Sequence, residues 1–179
     1  MASQKAHHVT GIAAGVMAAA VVEHVKAGGT YHLFTVLTLL AATAGGTGPD
    51  WLEINPLSFR RKLWVTHRTI THSGLLWIAS LVYSYQSLGK MWWAPILFGF
   101  SCGSLMHLLT DWPNPLGVPW IFTRHSLNLW NSGRCDLILI VLAWGSAFLL
   151  IDYLFCDMVH IWWAVHHLQK LLMHRQKFY

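Results

Sequence analysis

The sequence predicts an all-α protein, an integral membrane bundle of about five transmembrane helices, and two observations favour this class. Five apolar stretches alternate with polar segments along the chain of 179 residues. Hydrophobic residues make up 55% of the chain and charged residues only 11%, whereas soluble domains carry about 25% charged residues. Membrane embedding explains this shortage of charge, and a very apolar soluble protein is the alternative.

The first three predicted spans run roughly from Val9 to Val25, from Tyr31 to Thr47 and from Thr71 to Leu88. The second span ends because the run from Gly45 to Pro49 cannot continue a helix. Each stretch is close to the roughly 20 residues that a spanning helix needs. The first stretch loosely resembles a signal peptide, but the histidines before it and the four spans after it favour a retained helix.

The fourth span is predicted from roughly Met91 to Thr110 and the fifth from roughly Asp136 to Phe155. Trp92 and Trp93 stand at the start of the fourth span, where an aromatic belt would meet the membrane interface. The whole chain, 1–179, is interpreted as one membrane-embedded domain.

Residues 155–179 form an amphipathic tail in this interpretation. Apolar side chains recur at helical spacing, and histidines and basic residues fill much of the remainder. This pattern predicts an interfacial C-terminal helix lying on the membrane, and packing of the tail on the bundle is the alternative. The apolar positions are Ile161, Trp162, Val165, Leu168, Leu171 and Leu172.

The basic residues and the cysteines exclude some other classes of function. The net charge of +5 fits contact with anionic membrane lipids, and the scattered lysines and arginines do not form a nucleic-acid-binding face. Cys102, Cys135 and Cys156 are an odd set without a CxxC unit. They therefore imply neither a disulfide framework nor a structural zinc finger.

An up-and-down bundle would bring most candidate ligands and catalytic residues to one end. Spans two and four finish at that end, and spans three and five begin there. Asp152 and Asp157 fall at the opposite end and are not candidates. The residues brought together are His7, Asp50, His67, His72, His107, Asp111, Arg124 and Asp136.

The same end carries most of the basic residues outside the tail. Such an excess favours the cytoplasmic side of the membrane, although Lys170, Arg175 and Lys177 lie in the tail at the opposite side. The site is therefore predicted to face the cytoplasm. The basic residues at this end are Lys5, Arg60, Arg61, Lys62, Arg68, Arg124 and Arg134.

The residue types and their spacing favour a metal site. His107 and Asp111 are four apart and share one helix face, while His67 and His72 bracket the start of the third span. Imidazole nitrogen with carboxylate oxygen suits zinc, with manganese or iron as alternatives. A catalytic zinc keeps a position for water, lowers the pKa of that water and polarises an ester or phosphoryl oxygen.

Several segments also resemble the successive motifs of the YdjM-like family of bacterial inner-membrane proteins, which are described as metal-dependent hydrolases. The segments are HHVTG, GGTGPD, HRTITHS, SLMHLLTDWPNPLGVPWIF and NSGRCD, in the family's order over roughly residues 7 to 136. HRTITHS and HLLTDWPNPLGVP are the specific ones. The resemblance implies a multi-pass protein of the bacterial inner (cytoplasmic) membrane.

Carried over residue by residue, the resemblance implicates His7 rather than His8, because His7 stands four residues before Gly11. Two departures matter. Leu52 occupies the position of a second family aspartate, which Glu53 could replace, and Asp136 stands where the family has glutamate. The other positions implied are Asp50, His67, Arg68, His72, Ser73, His107 and Asp111.

The predicted function is that of a membrane-bound metal-dependent hydrolase, in which metal-activated water attacks an ester or phosphoester of a lipid or membrane-adjacent substrate. Asp136 would act as ligand or general base. Arg68 and Arg124 would hold an anionic group through bidentate hydrogen bonds or anchor lipid headgroups. The alternatives are a metal-binding or ion-handling protein without catalysis, a haem-binding bundle, and a structural or regulatory protein with an inactive site.

Overall fold

The computed structural model describes residues 2–25, 32–52, 70–120, 123–129 and 136–176. Within these ranges a short 3-10 turn (Ile70–His72) precedes the fourth helix, and two short strands, β1 (Val118–Pro119) and β2 (Arg124–His125), pair antiparallel with Val118 opposite His125. The all-α prediction is confirmed. The helices are α1 (Gln4–Val25), α2 (His32–Gly45), α3 (Gly48–Trp51), α4 (Gly74–Gln86), α5 (Ala94–Asp111), α6 (Asp136–Phe155) and α7 (Val159–Gln176).

Each of the five predicted spans corresponds to a helix, but the helices differ in length. By length and hydropathy α1 and α6, with 22 and 20 residues, could cross a membrane, while α2 is apolar but shorter. The 13 residues of α4 would extend only about 20 Å. By length and hydropathy, two of the five helices are thus clearly capable of spanning a membrane.

The core of the bundle is formed by α1, α2 and α5, which pack against one another. α4 packs on α5, and α6 packs on α1. The interhelical contacts include hydrogen bonds made by hydroxyl groups: Thr38 Oγ1 donates to the Pro95 carbonyl at 3.1 Å, and Ser101 Oγ donates to the Ser80 hydroxyl at 2.8 Å. Small and polar residues at helix contacts are typical of membrane proteins.

Glycines at a spacing of four allow the three core helices to approach closely. On α5, a Cβ at Gly103 would overlap the Ala42 carbonyl oxygen, and on α1 a Cβ at Gly11 would lie 3.0 Å from the Gly46 Cα. Such small-xxx-small faces bring helix backbones together. Because His7 and His107 lie four residues from these glycines on the same faces, the packing directs both imidazoles towards the end of α2.

The outward surfaces of the helices are apolar. Leu33 and Leu40 on α2 are 64% and 59% exposed, and Leu137 on α6 is 72% exposed. By contrast, several hydroxyl and imidazole side chains are buried between the helices. Apolar residues outside and polar residues inside are the distribution that a lipid environment favours.

Candidate metal centre

Five of the predicted ligands meet at one end of the bundle: His7 on α1, Asp50 on α3, His72 in the 3-10 turn, and His107 and Asp111 on α5. We call these five residues the His–Asp cluster. The four residues other than Asp50 are buried, and the Asp50 side chain is 37% exposed. The cluster therefore combines segments that are far apart in sequence.

One group of ligands within the cluster comprises His7, His107 and Asp111. His7 Nε2 lies 3.5 Å from Asp111 Oδ1, and His107 Nε2 lies 3.8 Å from Asp111 Oδ2. The two imidazole rings stack with their centroids 4.1 Å apart. One ligand atom from each residue lies within 4.8 Å of the others, a separation that a single ion can bridge.

A second group shares His107 and adds Asp50 and His72. Asp50 Oδ1 lies 3.3 Å from His72 Nε2 and 3.5 Å from His107 Nε2. These three residues also offer ligand atoms within 4.8 Å of one another. His107 is thus common to both groups, and its Nε2 atom lies within 4 Å of a carboxylate oxygen of each.

The orientation of His107 is fixed by a backbone contact. Its Nδ1 atom lies 2.9 Å from the Gly46 carbonyl oxygen, and because a carbonyl only accepts, Nδ1 is the protonated nitrogen. In the neutral ring, Nε2 then presents a lone pair towards the carboxylates of Asp50 and Asp111. The lone pair and the negatively charged carboxylates repel one another, and a cation between them, either a proton or a metal ion, removes this repulsion. A histidine that binds a metal through one ring nitrogen typically donates its other N–H to a group such as a backbone carbonyl.

Several buried nitrogens of the cluster lack conventional partners. Neither ring nitrogen of His7, nor Nε2 of His107, makes a hydrogen bond to any described residue. A buried polar group without a hydrogen bond costs about 1–3 kcal/mol. The donor set and these unsatisfied nitrogens together fit a bound divalent ion.

Opposing effects set the ionisation of Asp50. Burial raises the pKa of its carboxyl group, but the imidazoles of His107 and His72, whose Nε2 atoms lie 3.5 and 3.3 Å from Asp50 Oδ1, favour the carboxylate and lower the pKa further than burial raises it. The net result is a pKa well below the usual range. Asp50 is therefore held as a carboxylate beside the two imidazoles.

The cluster can be reached from outside through a cavity of about 380 Å³. Asp50 and His7 line this cavity, so two of the five ligands face it directly. Trp51, which is 60% exposed, stands beside them. The remaining lining residues are Ala2, Gln4, His8 and Thr47.

The model of the family described as "YdjM inner membrane protein" matches residues 1–165. The chain belongs to the YdjM family. The resemblance seen in the motifs is thereby confirmed, and the family description makes the protein an inner-membrane protein. No curated protein and no solved structure matches the chain.

In this YdjM-family chain the structure separates two adjacent histidines that the motif leaves side by side. His7 is 3% exposed and belongs to the cluster, whereas His8 is exposed at the rim of the cavity. The reason is the helix face: His7 lies one turn from Gly11, which contacts Gly46, and His8 is rotated away by one residue.

Of the three predicted catalytic residues, Asp136 lies beside the cluster, Arg124 lies in β2, and Arg68 lies outside the described part of the chain. Asp136 Oδ2 accepts a hydrogen bond from the Ser3 backbone at 3.2 Å, and the neighbouring Ala2 N–H donates to Asp111 Oδ1 at 3.1 Å. Asp136 therefore adjoins Asp111 through the start of the chain. Arg124 is exposed in β2 and belongs to neither ligand group, and His67 and Arg68 lie outside the described residues.

Leu52, at the position where the resemblance led us to expect a second aspartate, packs against the apolar cluster of Trp77, Leu108 and Val118. The side chain at this position therefore contributes to apolar packing. Glu53, the other possible source of that acid, lies outside the described residues.

Two features of the structure were missed by the sequence interpretation. The Gly46 carbonyl that orients His107 was not predicted. The glycines at the end of α2 were a signal, because the last carbonyls of a helix have no partner within the helix and can accept hydrogen bonds from other residues. Asp152, Cys156 and His160 also offer ligand atoms within 4.8 Å of one another at the far end of α6. Their regular spacing of four was the available signal.

Proposed function

We propose that this protein is a membrane-bound metal-dependent hydrolase whose His–Asp cluster holds a catalytic divalent ion. Its substrate would be an ester or phosphoester of a lipid or another membrane-adjacent molecule. The observation that carries the proposal is the convergence of three imidazoles and two carboxylates beside a cavity, with His7 making no hydrogen bond to a described residue through either ring nitrogen.

The ligand chemistry favours zinc, with manganese or iron as alternatives. Because Nδ1 of His107 is bonded to Gly46, only Nε2 is left for an ion. His107 Nε2 would therefore hold the ion together with His7 and the carboxylates of Asp111 and Asp50. When bound, the ion would lower the pKa of a water molecule and polarise the substrate oxygen.

The protein's own groups would then position the water and move its proton. Asp50 faces the cavity as a carboxylate and can accept a hydrogen bond that orients the water. Its lowered pKa makes it a weak base, so an imidazole would accept the proton of the water more readily. His72, whose Nε2 lies 3.3 Å from Asp50 Oδ1, is the imidazole proposed for this role.

The cluster and the helices suggest a multi-pass arrangement in the inner membrane. In this proposal α1, α2, α4, α5 and α6 all cross the membrane, and the cluster faces the cytoplasm because basic residues concentrate at its end. α7 would lie in the interface. Trp162 and Trp163 on α7 are 69% and 67% exposed, as expected for an aromatic surface that meets headgroups.

A second function is a metal-binding or regulatory inner-membrane protein without catalysis. The observation in its favour is Leu52, which packs in an apolar cluster at the position where the motif resemblance implies a second carboxylate. A metal site would persist in such a protein, but turnover would not.

The proposal is tested by hydrolysis assays on the purified full-length protein with phospholipids and soluble phosphoesters. The wild type should turn over at least one substrate, chelation should abolish turnover, and zinc or manganese should restore it. Asp111→Asn should be inactive, and Asp157→Asn, an exposed acid at the other end, should behave as wild type. Stoichiometric metal without turnover on any substrate would favour the non-catalytic function.

A further inference from the structure

A second group of potential ligands lies at the junction between α6 and α7. Asp152 and Cys156 end α6 and His160 begins α7, and one ligand atom from each lies within 4.8 Å of the others. Asp152 is sixteen residues along α6 from Asp136, which adjoins the His–Asp cluster. At the helical rise this distance is about 24 Å, so the two groups are separate.

The backbone of the junction is arranged to bring His160 back over the end of α6. Asp157 and Met158 adopt positive φ angles of 48° and 61°, a conformation that is uncommon outside glycine. The Asp152 carbonyl accepts hydrogen bonds from the Cys156 and Met158 N–H groups at 2.9 and 3.2 Å. The turn is therefore tied to Asp152 by its own backbone.

The carboxylate of Asp152 has two distinct roles. Oδ2 accepts a hydrogen bond from the Ile161 N–H at 3.2 Å, which caps the start of α7, and Oδ1 lies 2.6 Å from His160 Nδ1. Capping alone explains a buried aspartate at this position. It does not explain why an imidazole and a thiol also converge on the carboxylate, because a cap needs neither.

We propose that Asp152, Cys156 and His160 form a second metal site of the zinc class, which fixes α7 to the end of α6. Thiolate, imidazole and carboxylate together suit zinc. Binding would release the thiol proton of Cys156 and move the Nδ1 proton of neutral His160 to Nε2. The ion takes the position of the hydrogen shared by Oδ1 and Nδ1, and water completes its coordination.

The surroundings of the site support this assignment. Asp152 is 2% exposed, whereas Cys156 is half-buried and the His160 side chain is 65% exposed. An ion can therefore reach the site from solution and meet a carboxylate that is already held in place. α7 begins at this point and presents exposed tryptophans, so the ion would fix the direction in which α7 leaves the bundle.

Cobalt substitution tests the site, because a thiolate ligand gives a near-ultraviolet sulfur-to-cobalt absorption and the His–Asp cluster contains no cysteine. The full-length protein with cobalt should show this absorption, and zinc should remove it by competition. Asp111→Asn should keep it. Cys156→Ser should lose it, whereas Cys102→Ser and Cys135→Ser should retain it.

A second variant covers the case in which Cys156→Ser fails to fold. His160→Gln changes an exposed side chain, and it should weaken zinc binding at this site by at least about 10-fold, since loss of even an outer partner of a metal ligand costs that much. Absence of the sulfur-to-cobalt absorption in the wild type, or its persistence in Cys156→Ser, would overturn the proposal.

Discussion

The two ends of the bundle gather metal-binding side chains in different ways. The His–Asp cluster draws its five residues from α1, α3, the 3-10 turn and α5, whereas Asp152, Cys156 and His160 lie within nine consecutive residues. The first arrangement depends on how the helices pack, and the second on a local turn. Changes in helix packing should therefore disrupt the first and spare the second.

The largest expected effect is that of Gly103→Leu. The new side chain would overlap the Ala42 carbonyl, force α5 away from α2 and separate His107 from Gly46. We expect a loss of about 3 kcal/mol in unfolding free energy, the upper part of the range for overpacking, and loss of metal from the His–Asp cluster. Chemical unfolding in detergent and elemental analysis would measure both.

Gly145→Leu is the matched control, because a Cβ at Gly145 meets nothing within 4 Å among the described residues. It should change neither quantity. If Gly103→Leu kept its metal, the close packing of α2 and α5 would not be what assembles the cluster.

The next largest effect is expected on metal affinity, where the adjacent residues His7 and His8 should differ. His7→Ala removes a buried imidazole of the cluster and should lower metal affinity by about 100-fold, the upper end of what loss of an outer partner costs. His8→Ala removes an exposed neighbour and should leave affinity unchanged. Metal titration of both variants measures the difference, and equal affinities would remove His7 from the site.

Asp50 should give a smaller effect that depends on pH. Its pKa is depressed in the folded state, so its stabilising contribution is fully present above its ordinary value of 3.8 and declines as pH falls below that value. In metal-free protein, Asp50→Asn should lower the melting temperature near neutral pH, and the difference from wild type should shrink in acid. A difference that grows in acid would contradict the predicted sign.

The smallest effect is expected for Asp136→Asn. Asp136 contacts the cluster only through Ser3 and Ala2 in the described structure, and one such hydrogen bond is worth about 1 kcal/mol. Metal content should be retained and the melting temperature slightly lowered. Loss of metal in this variant would instead make Asp136 a ligand.

The difference between the two ends also explains what the sequence could predict. The spacing of His107 and Asp111 on one helix face, and the motifs around His7, Asp50 and His72, identified residues that the fold does bring together. The Gly46 carbonyl could not be found this way, since its contact with His107 depends on how α2 meets α5. The prediction of five spans was not confirmed, because only α1 and α6 form helices that are long and apolar enough to be clear candidates for crossing a membrane.

At the junction between α6 and α7, the sequence shows the regular spacing of the three potential ligands but not that their side chains converge. Asp152, Cys156 and His160 recur every four residues, which a continuous helix would place in a row along one face. The positive φ angles of Asp157 and Met158 interrupt that helix. Asp157 is a residue type that tolerates a positive φ, but Met158 is not, so the convergence becomes visible only in the structure.

The central claim is that the His–Asp cluster binds a divalent ion, and metal analysis of the purified protein tests it most directly. Cys156→Ser protein, which lacks the proposed second site, should contain stoichiometric zinc, manganese or iron bound through nitrogen and oxygen, as read by X-ray absorption. The same protein carrying Asp111→Asn should contain none. An ion-free Cys156→Ser protein, or one whose metal survives Asp111→Asn unchanged, would contradict the account.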